Sequence, residues 1–69
     1  IAAIFDSIMV GVARRLEKGD IEDIEALRRN YIALLSNKDF ISATETHTSD
    51  EENVVMRMKL ATKAFANIK

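Results

Sequence analysis

The sequence contains no cysteine, no proline and no tryptophan, and only two glycines and one histidine among its 69 residues. Without cysteine there is no disulfide framework and no thiolate zinc site. A single histidine, His47, leaves an all-protein metal centre short of ligands, because zinc sites want three or four held on rigid elements. The absence of proline and the scarcity of glycine remove the usual helix breakers, so helix is favoured along most of the chain. No stretch of four or more residues alternates apolar and polar with β-branched enrichment, and no strand is expected. No apolar run approaches the roughly 20 residues of a membrane span. The start lacks the basic flank and cleavage site of a signal peptide. Charge of neither sign dominates: the net charge is −1, whereas a grip on phosphates needs a basic face. A cytoplasmic protein is therefore expected, with no cofactor, no membrane contact and no direct nucleic-acid contact.

What is present is amphipathic helix. The chain opens Ile1-Ala2-Ala3-Ile4-Phe5, already inside an apolar repeat, which reads as a segment of something larger. The first helix is expected from about Ile1 to Lys18, with Ile1, Phe5, Ile8, Met9, Val12 and Leu16 along one stripe at 100° per residue. Gly19 stands where a left-handed residue closes a helix. The second helix is expected to start near Asp20, whose carboxylate can cap amides two or three residues ahead. Its stripe is Ile21, Ile24, Leu27, Tyr31, Leu34 and Leu35, and Ser36-Asn37 ends it. A short helical turn opens at Asn37 or Lys38, with Phe40 and Ile41 inward, and residues 44–49 form a loop. Ser49-Asp50-Glu51-Glu52 reads as a capping box. The last helix is expected from Asp50 to about Asn67, with Val54, Met58, Ala61, Phe65 and Ile68 on its inner face.

The fold class is thus all-α: a small bundle of three main helices plus one short helical turn, forming a single subdomain over residues 1–69. Charge supports the boundaries. Acids cluster at Asp20 to Glu25 and Asp50 to Glu52, while bases fall late, at Arg14, Arg15 and Lys18 and at Lys59 and Lys63, complementing the helix dipole. Val12, Leu16, Leu27, Tyr31, Leu35, Phe40, Met58, Ala61 and Phe65 are expected to share one core.

Several residues sit uneasily in a solitary bundle. Met56 and Leu60, one turn apart, lie roughly 120–160° from the inner face of the last helix. Ile4, Ser7 and Gly11 make a side of modest bulk on the first helix. Glycine within a helix costs about 1 kcal/mol relative to alanine, which is easiest to explain by the close approach of another backbone. Ile4, Gly11, Met56 and Leu60 are therefore the candidate interaction surface, expected to meet something other than this chain's own core. Arg28 falls inside the apolar stripe of the second helix. Either its stem packs along the core edge with the guanidinium in water, or it pairs inward with an acid such as Asp6.

Catalytic arrangements are missing. There is no glycine-rich phosphate loop, no cysteine nucleophile and no Gly-x-Ser-x-Gly elbow. Glu51 and Glu52 sit in a first helical turn, where capping accounts for them. His47, between Glu45 and Asp50 in a threonine-rich loop, reads as a solvent-exposed side chain. No catalytic, cofactor-binding or metal-ligating residue is expected.

The order of landmarks carries a resemblance. Phe5-Asp6 opens a helix that continues through Arg14-Arg15-Leu16-Glu17-Lys18-Gly19. A spacer helix leads to Leu35-Ser36-Asn37-Lys38-Asp39-Phe40-Ile41. Thr48-Ser49-Asp50-Glu51-Glu52-Asn53-Val54 follows, and then Arg57. Most of the chain resembles the helical C-terminal part of the ParB/sulfiredoxin-like domain of GmrSD-type restriction proteins. That family handles nucleotides through an Asp-Gly-Gln-Arg-type loop in its N-terminal core, and no such loop occurs here. The resemblance implies a non-catalytic packing or interaction subdomain of a larger phage-defence protein, with any nuclease or NTPase activity lying elsewhere. It also marks Asn53 and Arg57, with Arg28 from the stripe argument, as structural polar contacts. The expected partners are the remainder of the parent protein and, for the segment alone, a second copy of itself. The alternative is a free-standing helical adaptor that dimerises or binds a partner helix.

Overall fold

In a computed structural model of the chain, residues 2–45 and 50–69 are described. Four α-helices account for most of them: α1 (Ala2–Leu16), α2 (Ile24–Leu35), α3 (Lys38–Glu45) and α4 (Glu51–Ala66). No strand occurs among the described residues. The protein is all-α. The third element is an eight-residue helix, longer than the expected turn, because it runs on through Thr44, whose hydroxyl donates to the Ile41 carbonyl at 2.9 Å. His47 and Ser49 lie outside the described residues, so their expected roles in the loop and the capping box do too. Asp50 occupies the N-cap position of α4.

α4 is the organiser. Its largest interface is with α1, and α2 and α3 also lean on it, while α1 and α2 scarcely touch each other. The buried core is Phe40 of α3, Leu34 of α2, Ala61 and Phe65 of α4, and Ile68 just beyond it. Leu27, Leu35, Val12 and Ile8 pack against it from partly buried positions. Two expected core members stand outside: Leu16 and Tyr31 are exposed. Met58 is half-buried and lines a surface depression instead.

The reason lies in which side of α1 faces α4. The buried stripe of α1 is Ala3, Ser7, Gly11 and Arg15, spaced four apart, and not the bulky stripe of Phe5, Met9 and Leu16. Small side chains let two helix backbones come close, and that contact excludes the larger face. At Gly11 a Cβ would stand 2.7 Å from the Ala61 carbonyl oxygen. Ser7 tolerates complete burial because its hydroxyl donates to the Ala3 carbonyl at 2.6 Å, as buried polar groups require.

Arg15 closes the far end of this stripe. Its Nε donates to the Ile68 carbonyl at 2.6 Å, one Nη donates to Gly19 at 2.8 Å and the other to Asp20 at 3.4 Å. One guanidinium thereby ties the end of α4 to the turn after α1. Gly19 takes φ 125° in that turn, a conformation that side chains disfavour. The amides of Glu22 and Asp23 donate to the Lys69 main-chain carbonyl at 2.9 and 2.8 Å. This stretch is therefore held out of the helix, and α2 starts at Ile24, not near Asp20. The cap is Asp23, whose Oδ1 accepts from the Ala26 amide at 3.0 Å. Asn37 caps α3 in the same way, its Oδ1 accepting from Phe40 at 3.0 Å.

Replacing Arg15 by methionine keeps the stem and strands the carbonyls that it satisfies. Charge-assisted hydrogen bonds contribute roughly 1.5–3 kcal/mol each, but Gly19 and Asp20 are exposed and their carbonyls regain water. A loss of about 1.5–2 kcal/mol in denaturant unfolding is expected, with amide exchange accelerated first at Glu22 and Asp23. A stability equal to wild type would show that this tie is ornamental.

Candidate interaction surface

The turn of α1 that buries its small residues leaves its large ones on the outside. Phe5, Met9 and Leu16 fall within about 40° of one line along the helix and are 63, 55 and 48% exposed. On the α2 side, Ile24 and Tyr31 are 54 and 40% exposed. Between the two helices lies a groove of about 300 Å³ lined by Ile8, Val12, Ile24, Leu27, Arg28 and Tyr31, with Phe65 of α4 as its floor. A second depression continues it along α1 past Ile4, Phe5 and Met9, with Ile8 and Tyr31 shared between the two. The surface is thus one apolar strip: a ridge on α1 beside a trough between α1 and α2.

The trough exists because α1 and α2 each pack on α4 without packing on each other. Arg28 is the one charged residue in its lining. It is exposed, so its stem lies along the core edge and its guanidinium stays at the surface, the first of the two arrangements open to it.

The candidate surface residues from sequence are placed differently. Gly11 is buried, and the backbone that approaches it is Ala61 of the chain's own α4. The sequence reading of a close approach at Gly11 identifies the geometry and misassigns the partner. Ile4 and Leu60 are half-buried and pack against the core cluster, so neither forms a free docking face. Met56 is 45% exposed beside Val55 on the outer side of α4, in a depression also lined by Leu60, Lys59 and Glu52. Met56 and Leu60 share that depression, as their one-turn spacing implies, whereas Ile4 and Gly11 do not join them. Among the polar candidates, Arg57 is buried and Asn53 half-buried, and each is engaged by a neighbouring group. Phe5, Met9, Ile24 and Tyr31 carry no surface signal in the sequence, because their hydrophobic spacing reads as core. A visible signal was the competing series Ala3, Ser7, Gly11, four residues apart, which marks the close-packed side.

No group of three or more metal-capable side chains gathers among the described residues. No helix among them is long and apolar enough to cross a membrane. The chain matches no family model, no curated protein and no solved structure.

Proposed function

We infer that this chain is a non-catalytic helical packing subdomain, whose α1–α2 face seats an apolar helical partner within a larger assembly. The observation that carries this reading is the continuous apolar strip of Phe5, Met9, Ile24 and Tyr31 beside an apolar trough. Contiguous exposed apolar surface of several hundred Å² marks interaction sites, and a trough between two helices suits a third laid into it. The resemblance to the helical part of GmrSD-type restriction proteins supplies a parent: a cytoplasmic phage-defence protein whose nucleotide chemistry resides in other segments. The free-standing adaptor is the second reading, favoured by the same trough.

Met9 and Met56 have similar exposure on opposite sides of the fold, so they form an internal pair for hydroxyl-radical footprinting. In the longer polypeptide that this reading implies, Met9 is expected to be protected several-fold relative to Met56. Equal oxidation of both would overturn the packing role.

The reading also predicts chemical inertness. Incubated with Mg²⁺ or Mn²⁺, nucleoside triphosphates and DNA, the chain is expected to leave all of them intact. Turnover abolished by Glu51→Gln or Glu52→Gln would reassign the start of α4 as a catalytic site.

A further inference from the structure

We propose that the α1–α2 trough takes the α1 ridge of a second copy of this chain, forming a two-fold dimer with the two α1 helices parallel. The proposal rests on the packing reading above and names its partner.

Ridge and trough lie side by side on one face, the arrangement a self-complementary interface needs. A two-fold axis parallel to α1, running between ridge and trough, carries Phe5, Met9 and Leu16 of each copy over the trough of the other. The occupant must be an apolar helical ridge with an acidic flank, because Arg28 is the charged residue in the trough lining. α1 meets that description. At 100° per residue, Asp6 and Glu17 follow the ridge on the side away from the trough. The same rotation moves that side of the second copy to the α2 wall, where Arg28 stands. Ile8 and Tyr31 line both depressions and Arg28, one turn before Tyr31, lines the first, which places Arg28 within about a turn of Asp6 along the axis, a span that an arginine side chain covers.

The area is also sufficient. At roughly 200 Å² for a fully exposed large side chain, the five half-exposed residues of the strip present on the order of 500 Å² of apolar surface. Interfaces are about 60% apolar, so hiding this strip corresponds to about 800 Å² per copy, the size of a standard stable interface. The depressions on the outer side of α4 differ in charge: Lys59 and Lys63 line both, with Glu51 and Glu52 in one and Arg14 in the other, so Val55 and Met56 are interrupted by charged side chains where the α1–α2 trough has Arg28 alone.

Sedimentation equilibrium of the whole chain across micromolar to millimolar concentrations tests this. A dimer is expected, with Met9→Glu or Phe5→Glu raising its dissociation constant at least about thirtyfold. Helicity should persist in both variants, and melting below the wild-type dissociation constant should be unchanged, because these side chains are exposed in the monomer. Val55→Glu, on the other side, should leave the constant unchanged. Arg28→Glu and Asp6→Arg should each weaken association about tenfold, and the double variant should return it to within about threefold of wild type. A monomer at every concentration overturns the proposal, as does a dimer broken by Val55→Glu but not by Met9→Glu. A dimer split by Met9→Glu without charge rescue overturns the α1-in-trough arrangement. Footprinting separates this failure from that of the packing role: a monomer with Met9 oxidised freely, whose Met9 is protected in the longer polypeptide, removes the second copy and leaves the packing reading standing.

Discussion

Phe65→Ala is expected to remove most of the stability of this fold. Phe65 is fully buried and belongs to the core cluster with Leu34, Phe40, Ala61 and Ile68. Truncating a buried phenylalanine costs roughly 3–5 kcal/mol, part lost transfer energy and part cavity. A chain of this length holds on the order of 3–10 kcal/mol in total. The variant should be largely unfolded at moderate temperature, with loss of helical circular dichroism. Phe5→Ala is the matched control: the same atoms are removed from a residue 63% exposed, and surface changes usually stay within about 0.5 kcal/mol. The two phenylalanines are not distinguishable by residue type, only by which face of their helix meets α4. If both variants melt like wild type, α4 does not close the core described here.

Gly11→Ala reverses the sign that helix propensity assigns. At an ordinary exposed helical position the change gains about 1 kcal/mol. Here the new methyl would stand 2.7 Å from the Ala61 oxygen, 2.8 Å from its carbonyl carbon and 3.0 Å from Phe65 Cδ2. The phenyl ring can turn aside, but a carbonyl inside a helix moves only with the helix. α1 and α4 must separate, opening the core along their whole contact. A net loss of roughly 3 kcal/mol is expected, at the upper end of overpacking costs, lowering the melting temperature on the order of 15 °C. A rise in melting temperature would mean that α1 does not approach α4 at this point.

The helical class, the break at Gly19, the Asn37–Phe40 start of α3 and the Ala61–Phe65–Ile68 face of α4 are legible from local rules, because each depends on neighbours within about a turn. The orientation of α1 is not. Hydrophobic periodicity selects the face with the most apolar volume, and α1 has two usable faces: a large one through Phe5, Met9 and Leu16, and a small one through Ala3, Ser7 and Gly11. Which is buried depends on how closely another backbone can come, and that is decided by α4, more than thirty residues away. Glycine at position 11 carries the hint. The candidate surface moved for the same reason: once the small face is used inside the molecule, the large one is left to face outward. The start of α2 shifted because the amides of Glu22 and Asp23 bind Lys69, a partner no local pattern announces.

The dependence of every helix on α4 has a kinetic consequence. α1 ends at Leu16, and α4 is complete only at Ala66, so on the ribosome the first helix waits for its partner through about 50 further residues. At roughly 5–20 residues per second, that interval is about 3–10 s. A 15-residue segment is too short to hold helix by itself in water, and α2 and α3 offer it almost no surface. No leading portion of the chain is then a folding unit. The ties from Arg15 to Ile68 and from Glu22 and Asp23 to Lys69 can close only once α4 has docked on α1, so they report that the four helices have come together.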